Sequence, residues 1–130
     1  MMLLIDAGNT RVKWALADDG AAPGAWSATG AVAHAGLDAV HEDWASATRV
    51  LVSNVAGPAL AERIAALLPA GAQVEWFAST LQRAGVTNGY REPARLGCDR
   101  FAAAIGARAL LPGQDLIVAT CGTATTVDAV

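Results

Sequence analysis

Two short stretches of this 130-residue chain carry the residue types that hold phosphate. Leu4-Ile5-Asp6-Ala7-Gly8-Asn9-Thr10 can be laid over Val118-Ala119-Thr120-Cys121-Gly122-Thr123-Ala124. Each is an apolar run, a small residue, a glycine and then a hydroxyl or amide side chain. Glycine has no Cβ, so the backbone bends sharply there and comes close to a ligand. The N–H groups of such a bend can hold phosphate oxygens, and Asn or Thr side chains add donors. Facing each other, two such turns would grip successive phosphates of one nucleotide. Taken singly, each is also an ordinary hairpin turn, which Asn and Gly favour anyway. The other familiar phosphate loops, GxxxxGK[ST] and a GxGxxG behind a strand, are absent.

Two carboxylates are placed for further chemistry. Asp6, at the end of an apolar run, is either a turn-former bonded to nearby N–H groups or an acid aimed at a metal–phosphate complex. A bare carboxylate repels phosphate, so the second reading needs Mg²⁺ or a water between them. Asp99 opens an Ala-rich helical stretch behind the dense patch Asn88-Gly89-Tyr90-Arg91-Glu92-Pro93-Ala94-Arg95-Leu96-Gly97-Cys98. It is either an N-cap or a general base for a substrate hydroxyl, and Arg100 is either a solvated first-turn residue or a clamp for anionic oxygen. Cys98 has no histidine beside it in sequence and is not read as a nucleophile. His34 and His41 have no third ligand nearby, which argues against zinc.

The elements that must position these residues follow from periodicity. Leu3-Leu4-Ile5 reads as a buried strand, and Val12, Trp14 and Leu16 alternate as a strand with one covered face. A third strand over 25–30 would complete a meander. Leu37, Val40 and Trp44 recur at helical spacing. Val50-Leu51-Val52 is a strand, followed by a helix with Pro58 in its first turn and Leu60, Ile64, Leu67 and Leu68 on one face. The next strand covers 74–77, and Ser79 with Gln82 forms a capping box for a short helix. Residues 85–97 read as irregular, 99–111 as a helix, and 116–119 and 125–130 as strands. A meander followed by alternating strands and helices predicts a mixed α/β domain. The final strand has no turn, cap or polar tail after it, so the chain reads as the front part of something longer.

Composition removes several functions. The hydrophobic share is 54% against 16% charged, which is core-forming and excludes disorder across the chain. Nine Lys+Arg against twelve Asp+Glu leave a net charge of −3, against nucleic-acid or anionic-membrane partners. No apolar run approaches the ~20 residues of a membrane span, and Asp6 interrupts any signal-peptide stretch. Two cysteines without a CxxC pair make no disulfide framework, so the expected location is cytoplasmic. The four tryptophans are scattered and read as core or half-buried packing.

Taken together, these stretches resemble type III pantothenate kinase, a bacterial family of the acetate and sugar kinase/Hsp70/actin superfamily. Asp6-Ala7-Gly8-Asn9-Thr10 is similar to its first phosphate motif, Tyr90 through Arg100 to its substrate motif, and Gly122-Thr123-Ala124-Thr125-Thr126-Val127-Asp128 to its second phosphate motif. The three stand in the family's order. The resemblance implies a ribonuclease H-like (actin-like ATPase) domain over 1–114, with a mixed five-stranded sheet and flanking helices. Residues 115–130 would be the first strands of a second, similar domain. It implies ATP-dependent phosphorylation of pantothenate to 4′-phosphopantothenate, the first step of coenzyme A biosynthesis. Asp6, Ala7, Gly8, Asn9, Thr10, Arg11, Val12 and Lys13, with Gly122 and Thr123, would contact ATP. Tyr90, Gly97, Cys98, Asp99 and Arg100 would contact pantothenate, with Asp99 the proton acceptor. Asp6 would meet Mg²⁺ through water or phosphate.

Where many family members have an aspartate that helps bind K⁺ or NH₄⁺, this chain has Thr120, a neutral oxygen, so that site is weakened or built differently. The resemblance also implies a homodimer at full length and little activity for 130 residues alone. The competing readings are a non-catalytic actin-like nucleotide-binding fragment and a related kinase acting on another small molecule.

Overall fold

A computed structural model describes residues 1–130, which fold as two compact units, Met1–Phe77 and Ala78–Val130. The first is a mixed five-stranded sheet. Strands β1 (Met2–Ala7), β2 (Arg11–Ala17) and β3 (Ala28–Ala33) form the antiparallel meander, and β4 (Arg49–Asn54) and β5 (Gln73–Trp76) add in parallel, giving the order β3-β2-β1-β4-β5. The period of two sorts the side chains. Leu3, Ile5 and Ala7 stand beside Leu16, Trp14 and Val12 on one side and Val50, Val52 and Asn54 on the other. This face carries the core, with Leu3, Val12, Val52, Leu37, Trp44 and Ile64 fully buried. Each such aliphatic side chain contributes ~1.5–3 kcal/mol relative to leaving it in water.

The helix α1 (Pro58–Leu67) places Pro58 at its first turn, where no N–H is missed, behind Gly57 at φ 93°. Leu60 and Ile64, four apart, face the sheet, and Leu67 and Leu68 pack partly against it. Three expectations in this unit shift. The third strand begins at Ala28, because two left-handed turns at Gly20 and Gly24 extend the connection until Ser27 donates its N–H to the Leu16 carbonyl at 2.8 Å. Leu37 and Val40 lie on a 3₁₀ helix, His34–Val40, whose three-residue turn stacks them, and Trp44 follows in a turn. Trp26 and Trp76 are 45% and 41% exposed, so only Trp44 and the half-buried Trp14 pack as expected.

The second unit begins with a tight hairpin, β6 (Gln82–Arg83) paired with β7 (Val86–Thr87). No helix starts at Ser79. Its hydroxyl donates to the Leu96 carbonyl at 2.7 Å, and the extended pairing of Gln82 with Thr87 takes the place of the expected capping box. The hairpin loop is Ala84-Gly85 with φ of 49° and 81°, the left-handed pair of a two-residue turn whose twist matches the strands. Helix α2 (Cys98–Leu110) buries Phe101 and Ala104, and Arg108 closes its last turn by donating to the Gln114 carbonyl at 2.6 Å. Strands β8 (Ile117–Cys121) and β9 (Thr125–Ala129) form a second hairpin.

Candidate functional site

Both glycine turns are hairpin loops between antiparallel strands. In the first, the Gly8 N–H donates to the Arg11 carbonyl at 3.0 Å, with Asn9 and Thr10 exposed at the tip. Two contacts hold its flanks. The His34 ring Nε2 lies 2.7 Å from the Gly8 carbonyl oxygen and donates to it, and the Val55 N–H donates to the Ala7 carbonyl at 3.0 Å. Arg63 in turn donates to the His34 carbonyl at 2.9 Å. His34 therefore orients the turn, a role its sequence position gave no sign of.

Asp6 is exposed on the sheet face opposite the core, in register with Lys13 on β2 and Ser53 on β4. Arg11 is exposed at the start of β2, and Val12 is buried beneath the turn. The parallel strands β1 and β4 both end here. The Asn54 side chain organises the adjoining loop by donating to the Gly57 carbonyl at 2.9 Å and accepting the Ala56 N–H at 3.0 Å.

In the second turn the Gly122 N–H donates to the Ala124 carbonyl at 3.1 Å, and Gly122 and Thr123 are exposed. Thr120 is exposed on β8 and pairs with Thr126 on β9. Its hydroxyl offers a cation a neutral oxygen without formal charge.

The second unit also holds a cavity of about 490 Å³ whose walls include Tyr90, Arg100, Phe101, Arg108 and Asp128. Asn88, 6% exposed, builds one wall. Its side-chain amide donates to the Pro93 carbonyl at 2.9 Å and its Oδ1 accepts the Tyr90 N–H at 3.0 Å, which pins the loop that presents Tyr90. From the opposite wall Arg100 reaches to Asp128, with Nε donating to Oδ2 at 3.0 Å and an Nη to Oδ1 at 2.5 Å. The Asp128 hydrogen bond, aided by its charge and by Tyr90, holds the Arg100 guanidinium above its ordinary pKa, against the opposing effect of burial.

Asp99, Gly97 and Cys98 do not line this cavity; they form the start of α2 immediately before Arg100. The N-cap is Gly97, so Asp99 stands inside the first turn, where a carboxylate is favoured by the helix dipole. Its Oδ1 accepts the Arg100 N–H at 2.9 Å and lies so close over Gly97 that a Cβ there would be 2.8 Å away. The carboxylate is half-buried. Of the residues read from the sequence, the cavity thus brings Tyr90 and Arg100 together and adds Asn88, Arg108 and Asp128. Asp128 was visible only as the last residue of the second phosphate motif.

A mixed sheet in the order β3-β2-β1-β4-β5, with a glycine hairpin at the end of its central strand, defines the first unit as an α/β domain of the actin-like ATPase fold. The family model described as type III pantothenate kinase matches residues 2–130, and the chain belongs to that family. It is 53% identical to the type III pantothenate kinase of Herminiimonas arsenicoxydans, an alignment covering 100% of this chain and 54% of the relative. The type III pantothenate kinase of Janthinobacterium sp. (strain Marseille) is 52% identical over 99% of this chain and 54% of its own length. That of Burkholderia thailandensis is 51% identical over 98% and 49%. The chain spans about half the length of these relatives.

Proposed function

We propose that the full-length protein transfers the γ-phosphoryl group of ATP to the primary hydroxyl of pantothenate, giving 4′-phosphopantothenate, the first step of coenzyme A biosynthesis. The observation that carries this reading is the cavity where Tyr90 and Arg100 meet, next to the Asp99 carboxylate, in a chain matched end to end by the kinase family. In this reading the backbone of residues 6–13 and the Gly122-Thr123 turn receive ATP, while Tyr90 and residues 97–100 receive pantothenate.

Phosphoryl transfer asks little covalent chemistry of the protein. It asks for alignment and for neutralisation of the phosphoryl oxygens. Turn N–H groups and Arg100 supply donors, and Asp99 takes the hydroxyl proton as the oxygen attacks phosphorus. Asp6 is a single exposed carboxylate at a strand end, which suits Mg²⁺, an ion bound through one or two carboxylates together with phosphates and water. When bound, that ion would neutralise phosphoryl charge. The K⁺ or NH₄⁺ of the family resemblance would meet only neutral oxygen at Thr120, so no step is assigned to it.

We also propose that residues 115–130 open a second domain like the first, since β8 and β9 repeat the strand–glycine turn–strand pattern of β1 and β2. A homodimer and a cytoplasmic location follow from the resemblance. No helix is long and apolar enough to cross a membrane.

The test uses the full-length protein with Mg·ATP and a panel of acceptor alcohols. Pantothenate turnover is expected, and Asp99→Asn should cut kcat by ~10²–10⁴-fold while nucleotide binding persists. Normal turnover by Asp99→Asn would remove the base assignment. Turnover confined to another alcohol would reassign the substrate, and nucleotide binding without any turnover would favour a binding module.

A further inference from the structure

We propose that Asp128 is a positioning residue: it holds the Arg100 guanidinium side-on, so that the donors left on its outer edge meet an anionic oxygen of a substrate in the cavity. The proposal rests on the kinase reading and extends it to a residue outside the substrate motif. A guanidinium has five N–H donors in a rigid fork. Asp128 takes one from Nε and one from an Nη, at 3.0 and 2.5 Å. Of the three that remain, Tyr90 engages the guanidinium in a side-chain hydrogen bond, and the others are left for a ligand.

The pair is not a solvated surface bridge, because the two side chains are only 28% and 23% exposed. Each also stands on a regular element, Arg100 in the first turn of α2 and Asp128 on β9 opposite Val118. Fixing both ends restricts a side chain that would otherwise sample many rotamers, so less freedom is lost when a ligand binds. Arg108, the other cation on the cavity wall, donates through Nη1 to the Gln114 carbonyl at the end of α2 and has no carboxylate partner fixing its guanidinium as Asp128 fixes that of Arg100. Asp128 itself repels the substrate's anionic oxygen. The benefit of the pair is therefore direction rather than charge, and this gives the proposal its sign: removing the negative charge should weaken binding, although simple electrostatics predicts the reverse.

The anionic oxygen belongs either to the acceptor's carboxylate or to a phosphoryl group, and kinetics on the full-length enzyme separates the two. Asp128→Asn is expected to change one parameter by ~10-fold or more, in keeping with charge-assisted hydrogen bonds that lose their geometry. A raised KM for pantothenate, with kcat and the ATP KM held, assigns the carboxylate, and the penalty should then vanish with an uncharged amide analogue of the acceptor. A raised ATP KM or a lowered kcat, equal for both acceptors, assigns the phosphoryl oxygen. A merely structural role would lower the melting temperature and leave these ratios unmoved.

Unchanged kinetics, or a lowered KM, overturns the proposal while wild-type turnover keeps the kinase reading intact. Absence of turnover in the wild type refutes both. Should Asp128→Asn not fold, Asp128→Glu keeps the charge and advances the carboxylate by one methylene. A shift of about threefold in the same parameter is expected from that displacement, and an unchanged value overturns the proposal.

Discussion

Replacing Gly97 by alanine tests the position of the Asp99 carboxylate without touching its chemistry. Gly97 sits at φ −53° and ψ 131°, a conformation alanine adopts freely, so the backbone has no reason to move. Such a Gly→Ala change stabilises a fold by ~0.4–1 kcal/mol through the unfolded chain. The new Cβ would nevertheless lie 2.8 Å from Asp99 Oδ1, where ordinary contact begins at 3.4 Å. The side chain is the softer partner, and it must retreat by about 0.6 Å from its bond to the Arg100 N–H. Misplacing a reacting group by ~1 Å costs about 10²-fold, so this displacement should cost roughly tenfold in kcat, or ~1.4 kcal/mol of barrier.

Stability and rate therefore move in opposite directions, which a thermal melt and an ADP-release assay on the full-length protein would read side by side. Contact between residue 97 and the substrate is separated out by repeating the change in Asp99→Asn, where the alanine should have no further effect. Wild-type kcat in Gly97→Ala, or an equal loss in both backgrounds, would refute the reasoning.

Two further outcomes are expected in the first unit. Gly30→Ala would put a Cβ 2.5 Å from Cε2 and Cζ2 of Trp14, its register partner across the strands, and the ladder prevents the two from separating. Overpacking of this kind costs ~1–3 kcal/mol, and denaturant midpoints should show the loss recovered in Trp14→Leu/Gly30→Ala. His34→Ala removes the donor to the Gly8 carbonyl and should raise the KM for ATP severalfold, for ~1 kcal/mol of lost hydrogen bond, with the pantothenate KM unmoved.

Much of the sheet was legible because its signals are local. Val12, Trp14 and Leu16 alternate, Pro58 sits where a helix begins, and Leu60 and Ile64 return on one face. The hairpin at 82–87 was not legible. Its loop residue Ala84 takes a positive φ that sequence reasoning reserves for Gly, Asn and Asp, so Gly85 alone gave too weak a signal. The 3₁₀ geometry of His34–Val40 was hidden for a related reason, since apolar residues three apart suit either helix. In the candidate site, Tyr90 and Arg100 could be picked out by residue type and motif. Asp128 and His34 could not, because each acts through a partner 28 or 26 residues away, a distance that no local pattern encodes.

The central strand β1 acquires its two neighbours on very different schedules. Met2 pairs with Ala17 on one side and with Arg49 on the other, so one partner is a short hairpin away while the second waits for a long loop to close. Local pairings form before distant ones because chain closure must precede the contacts that reward it. The bend at residues 8–10 would then be shaped early, in a nascent β1–β2 ribbon, and the arrival of β4 would seal its back through the Val55-to-Ala7 bond. Lesions in β4 should therefore leave a chain that has the bend but lacks its support, a species prone to trapping during refolding rather than to a lowered affinity once folded.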